Sequence, residues 1–319
     1  MDTSHDYADI IAAGRLLQPQ AEQQLNQFAK DNSQSNIVTA SVAYLLHDYH
    51  SPESVHTLIN LTKNQDALVR MNAVESLENL SDDQKITVLI PLLNDPVRAV
   101  RIEAARILAS VPANSFTSSQ QQLFNNSLTE YKKSQQVVID TSEAKLNLAE
   151  LAEAQHDKNS AEKYYLKALQ LNQNFYPATQ NLAILYNSEN KNDIAEKILR
   201  EGIAHNPDQG ELNYSLGLLL AQENKFDQSA TILKTATQLM PNYPKVFYNY
   251  GLVLLHLNQY HDAEIALLKA VNLNPSDPNT LYALFDLYNQ TQQWDKAQNY
   301  ANELHEYFPD SPVTQQLNN

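Results

Sequence analysis

The second half of the chain repeats itself every 34 residues, and this period constrains the fold more than any other feature. From Ser142 onward one register holds Ala149, Ala183, Gly217 and Gly251, with Phe285 fifth. Twelve positions later stand Ala161, Ala195, Ser229, Ala263 and Ala297. The periods close on Gln173, Pro207, Pro241, Pro275 and Pro309, so four of the chain's 13 prolines share one column. A small residue on one helix lets a second helix approach closely, and the second small residue completes that contact from the other side. Proline cannot continue a helix, so it ends each period and sets the turn into the next. Between these points apolar residues recur at helical spacing, as in Leu148, Leu151 and Ala152. One helix pair of this kind cannot bury its apolar face alone, so the pairs must stack.

These columns resemble those of the tetratricopeptide repeat (TPR) family, with a small residue at position 8, Ala at 20 and 27, and Pro at 32. Position 27 is Ala168, Gly202, Ala236, Ala270 and Leu304, and position 17 is aromatic in Phe226, Tyr260 and Trp294. The family's Trp at position 4 is missing; Lys145, Thr179, Asn213, Phe247 and Leu281 stand there. The resemblance implies five repeats, 142–175, 176–209, 210–243, 244–277 and 278–311, with residues 312–319 as a tail.

The first half carries a shorter period of 31 residues, linking Val69-Arg70 to Val100-Arg101, Ala73 to Ala104 and Leu77 to Leu108. The run Leu92-Leu93-Asn94-Asp95-Pro96, followed by Val100-Arg101 and Ala104-Ala105, resembles a HEAT repeat. That resemblance implies that Asp95-Pro96 breaks a first helix and that Arg70 and Arg101 bond neighbouring turns along the stack. Residues 5–17 and 20–31 read as two further helices. Residues 113–141 read as a linker and one amphipathic helix, with Leu123, Phe124, Leu128 and Tyr131 at helical spacing. The expected fold is thus all-α: an α-solenoid of HEAT-like helix pairs over 1–112, an adaptor helix over 113–141, and a TPR superhelix over 142–311.

Composition narrows the function. The chain of 319 residues has only 5 glycines, which fits helices with short connections rather than phosphate loops and sheet turns. Its net charge of −15 repels phosphate backbones, so neither nucleic acid nor an anionic membrane surface is an expected partner. No apolar run is long enough to insert into a membrane. The absence of cysteine removes disulfides, thiolate metal sites and a Cys nucleophile. No Gly-x-Gly-x-x-Gly, no Gly-Lys-Ser/Thr and no His-Glu-x-x-His is present. Glu53 and His56, and His47 and His50, lie one turn apart, but each pair lacks the further ligands a metal needs and reads as a solvated face. No cofactor, metal or catalytic residue is expected in this chain.

The order His5-Asp6-Tyr7, Ala12-Ala13-Gly14-Arg15, the HEAT-like segment, Glu130-Tyr131 and then the TPR columns also resembles the C-terminal region of bacterial multihaem c-type cytochromes. That resemblance implies the non-haem docking region of a larger exported electron-transfer protein, periplasmic in location, with His5 near the haem domain. The Cys-x-x-Cys-His attachment motif is missing from this chain. Without that context, the absence of a basic and apolar leader at Met1 gives a cytoplasmic reading.

What remains is binding. In a TPR stack the first helix of each pair lines the groove, through positions 2, 5, 6, 9, 12 and 13. Position 5 offers Tyr214, Tyr248 and Tyr282, and position 6 offers Asn147, Asn181 and Asn249. Tyrosine brings contact area with a polar tip, and an asparagine amide can hold a peptide backbone by donating and accepting at once; the alternative reading is that the amides form a solvated polar face and the tyrosines pack between adjacent repeats. The asparagine row is similar to the ladder of the O-linked N-acetylglucosamine transferases. The carboxylate clamp of chaperone-binding TPRs is not reproduced, since only Lys245 fits it. The expected partner is therefore a neutral or basic peptide or protein segment, held by a non-catalytic scaffold.

Overall fold

The computed structural model describes residues 3–15, 21–31, 33–49 and 51–307. All regular structure among them is helical, and the chain divides into two compact units, 1–178 and 179–319. His50, Pro309 and the 312–319 tail lie outside the described residues.

The first unit opens with α1 (Thr3–Arg15), α2 (Ala21–Lys30), α3 (Asn36–Leu45), α4 (Pro52–Leu61), α5 (Ala67–Glu75), α6 (Asp82–Leu89) and α7 (Arg98–Leu108). Their starts are written in the sequence. Ser35, Ser51 and Asp66 each accept a backbone N–H from the first turn they precede, and Pro52 occupies a position where its missing N–H costs nothing. The first helix of the last HEAT-like pair ends as expected at the Asp-Pro step: Ile90–Asn94 tightens to a 3-10 turn, and the chain reverses at Asp95.

The two arginines of the 31-residue period make equivalent bonds. Arg70 Nη1 donates to the carbonyls of Asn64 and Gln65, and Arg101 Nη1 donates to those of Asp95 and Pro96. The other edge of each guanidinium reaches one element further on. Arg70 grips Asp95 with two bonds of 2.7 and 2.8 Å, and Arg101 grips Glu130 on the helix that follows. Each fork thus ties a turn to its neighbour along the stack.

That following helix, α8 (Ser118–Val137), is fixed at its start by a capping box in which Thr117 and Gln120 exchange bonds. It buries Phe124, Leu128 and Tyr131 in a core running from Val74 through α7 to Leu151 of α9 (Ser142–Ala154). The Tyr131 hydroxyl donates to the Asn147 carbonyl of α9 at 3.2 Å. Within the first unit, α8 therefore closes the HEAT-like stack and opens the 34-residue repeats. α10 (Lys158–Leu171) completes the first of these, and α11 (Tyr176–Ser188) carries the chain across the division.

The second unit continues with α12 (Asn192–His205), α13 (Gly210–Gln222), α14 (Phe226–Leu239), α15 (Pro244–His256), α16 (Tyr260–Leu273), α17 (Pro278–Gln290) and α18 (Trp294–Tyr307). The small-residue columns do what spacing implies. Ala183, Ala195, Ala263 and Ala297 are buried, and Ser229 Oγ donates to the Gly217 carbonyl at 2.7 Å. A Cβ on Gly217 would stand 2.5 Å from Leu233 Cδ2, so α13 and α14 approach too closely for a side chain there unless Leu233 shifts. Phe285, which breaks the small column, is half-buried and tilts against Tyr282 at 6.0 Å.

A further column is visible only in the backbone. His156, Asn190, Asn224, Asn258 and Gln292, 34 residues apart, all have φ between 57° and 60°. Each ends the first helix of its pair, and the N–H after it reaches back five residues, as from Asp157 to Ala152 and from Gln259 to Leu254. This double-bonded C-terminal motif turns the chain sharply into the second helix.

Candidate binding face

In the second unit α13, α15 and α17 touch in succession, and residues 179–188 of α11 join α13 through Gln180–Ser215 and Asn187–Gln222 hydrogen bonds. Tyr214 on α13 is half-buried, edge-on to Tyr243 at 6.2 Å, and accepts the Asn249 side-chain amide at 2.8 Å. Burial, then the neighbouring Tyr243, pushes its hydroxyl up to about 12 against the opposing pull of the Asn249 bond. Tyr248 packs between repeats, against the cluster holding Leu284 and Leu287. Tyr282 is 43% exposed and is the most open of the three tyrosines.

The asparagines do not stand as a free row. Asn249 spends its amide hydrogens on Tyr214 and on the Lys245 carbonyl. Asn147, in the first unit, donates to Gln135 of α8 at 3.0 Å. Asn181 is half-buried and also has a partner. Asn147 and Asn249 thus already hold intrachain partners. In a tightly stacked face, amides on adjacent helices find intrachain partners first.

A different row is open. Ile184, Leu218 and Leu252 occupy position 9 of three successive repeats and are 54%, 36% and 36% exposed. None of the surrounding polar groups needs them: Gln180 bonds Ser215 and Asn187 bonds Gln222, each across one repeat at 3.0 Å. Ile184 and Leu218 line a cleft of about 390 Å³ together with these amides. The sequence named position 9 as groove-facing, but α13 reads Leu216, Leu218, Leu219 and Leu220 in near succession, and only packing separates the outward one.

Among the described residues, no cluster of three or more His, Asp or Glu side chains is placed to hold a metal. Glu53 is exposed and paired with Lys30, His56 bonds Asn60, and His47 lies 3.8 Å from Glu78. The His5 side chain lies outside the described residues. No described helix is long and apolar enough to cross a membrane.

Stacked pairs with two periods define a helical-repeat protein. The chain carries HEAT repeats followed by tetratricopeptide repeats: a HEAT repeat family model matches residues 25–109, and tetratricopeptide repeat models match 142–175, 181–244 and 244–277. The fifth period lies beyond these ranges but keeps their backbone turn at Gln292. No curated protein matches the sequence. Among solved structures, the chain is similar to PilW, described as a widely conserved type IV pilus biogenesis factor, at 16% identity and TM-score 0.53, covering 67% of this chain and 98% of that one. It is also similar to pilF of Pseudomonas aeruginosa, at 18% identity and TM-score 0.52, covering 68% and 98%. At these identities the likeness is one of fold.

Proposed function

We propose that this protein is a non-catalytic scaffold that holds a partner protein segment on the face of α11, α13 and α15. The carrying observation is the row Ile184, Leu218 and Leu252: three exposed apolar side chains, in register on three successive repeats, beside leucines that are buried, Leu182, Leu185, Leu216, Leu219 and Leu254. Exposed apolar groups aligned across repeats are costly to leave in water and are the usual anchors of an amphipathic or extended partner. Tyr248 and Tyr282 flank the row and add contact area with polar tips. The net charge of −15 favours a neutral or basic segment over an acidic one.

The test places a photo-crosslinking side chain at Leu218 and, as a control, at exposed Thr231 of α14, in the native host. A protein adduct specific to position 218, lost when Ile184 and Leu252 become Gln, supports the reading. Adducts of equal yield at 218 and 231, or an adduct indifferent to those changes, refute it. Circular dichroism of the variants checks that the helices persist.

A further inference from the structure

The second unit holds another recess, formed by α14, α15 and α16 and lined by different residues from the cleft above. It has a volume of about 470 Å³, and its walls include Lys234, Phe247, Tyr250, Asp262, Ile265 and Lys269. Two observations set it apart from ordinary surface.

The first is its departure from the chain's own repeats. Position 22 is polar in the other periods, as Lys163, Lys197, Thr231 and Asn299, yet here it is Ile265, 56% exposed. Position 7 is a buried leucine in the other periods, Leu148, Leu182, Leu216 and Leu284, yet here it is Tyr250, only partly buried. The repeat needs neither change for stacking, because four of its five copies do without them.

The second is charge. In the second unit Lys191, Lys197, Arg200, Lys225 and Lys296 are each paired with a carboxylate. Among the described residues there, the lysines without such a pair are Lys234, Lys245 and Lys269, and two of these line this recess. Lys269 lies 5.9 Å from the centre of the Phe247 ring. In a chain of net charge −15, unpaired cations beside exposed apolar side chains are complementary to an anion joined to an apolar group. Asp262 also lines the recess, near enough to Tyr250 to act on its hydroxyl, and repels an anion from that position.

We propose that this recess docks a partner segment in which a carboxylate side chain neighbours a bulky apolar one, the carboxylate between Lys234 and Lys269 and the apolar group on Phe247, Tyr250 and Ile265. The proposal is independent of the apolar row on α11, α13 and α15 and concerns a second contact on the same unit.

The experiment follows isoleucine methyl signals by NMR in the full chain. The probe is the capped hexapeptide acetyl-Gly-Ser-Asp-Phe-Ser-Gly-amide, compared with the same peptide carrying Asn for Asp. Ile265 reports this recess and Ile184 reports the other face. Saturable movement of Ile265 with the Asp peptide, about tenfold weaker with the Asn peptide, is the expected result, since two exposed cations each contribute a few-fold. Lys234→Gln with Lys269→Gln should abolish the preference while every other isoleucine signal stays in place. Equal affinity for the two peptides, an undiminished preference in the double variant, or a stationary Ile265 signal at millimolar peptide would overturn the proposal.

Discussion

Asn249 on α15 donates to the hydroxyl of Tyr214 on α13, 35 residues earlier, and so bonds one repeat to the next. Both residues had the right chemistry to hold a peptide, and the stack uses them on itself. Tyr214→Phe removes the acceptor while keeping the ring against Tyr243. The second unit should lose about 1 kcal/mol, the net value of one such bond. Urea denaturation followed by circular dichroism measures this. Crosslinking through Leu218 should be unaffected, because the exposed apolar row is untouched.

The grip of Arg70 on Asp95 gives the first unit a specific pH dependence. The two side chains are 10% and 6% exposed, so breaking the pair leaves a charge with little water. Burial alone would raise the Asp95 carboxyl. The bonds from Arg70 and the Val97 N–H, with the charges of Arg70 and Arg101, outweigh it and hold the group below its usual range. A depressed folded value means that the stabilisation is complete above the unfolded value, near about pH 4, and is lost as pH falls through the folded value. Arg70→Ala should cost about 3 kcal/mol at pH 7. The gap between variant and wild type should narrow between pH 5 and pH 2, roughly the range over which such a carboxylate titrates. Urea midpoints at the two ends of that range provide the check, and a gap that stayed constant would remove Asp95 as its origin.

The sequence disclosed the architecture because its strongest signals were steric. Ala149, Gly217 and Pro207 sit where geometry permits few alternatives, so each recurs at a fixed interval. The arginine forks were legible for a similar reason: Arg70 and Arg101 repeat together with the turns whose carbonyls they hold. The binding face was harder to read. Helix α13 is apolar nearly all round, so periodicity could not mark Leu218 as exposed and Leu219 as buried. Asn147 looked equivalent to Asn181 and Asn249, yet the helix before it is α8 rather than a preceding repeat, and Gln135 on α8 takes its amide. The backbone column from His156 to Gln292 has no single-residue signature, because the turn demands a conformation and three residue types meet that demand.

Gly217 tests how tightly the pairs are packed. A methyl group there meets buried Leu233, with contacts of 2.5 and 2.6 Å to Cδ2 and Cγ. Overpacking of this kind costs about 1–3 kcal/mol, while alanine's better helix propensity returns about 1 kcal/mol. Gly217→Ala should therefore be destabilising by about 1 kcal/mol. Leu233→Ala creates a void in the same place, so the double variant should be more stable than the sum of the two changes predicts. A strictly additive double-mutant cycle in thermal denaturation would show that α13 and α14 do not meet there.

The positive-φ column makes the opposite prediction, that the natural sequence can be improved. Residues with a Cβ are strained near φ 60°, asparagine least because its side chain bonds locally, and glycine not at all. The five positions are filled by His156, Asn190, Asn224, Asn258 and Gln292, with no glycine among them. His156→Gly and Gln292→Gly should each stabilise the protein by about 0.5–1 kcal/mol, whereas Asn224→Gly should change it by only a few tenths. The loss of chain entropy with glycine works against these gains, so the asparagine site is the internal control. Melting temperatures that rise for the His and Gln positions but not for Asn224 would locate the strain in the backbone turn. A fall at all three would mean that the side chains at these turns hold the helix pairs together through contacts of their own.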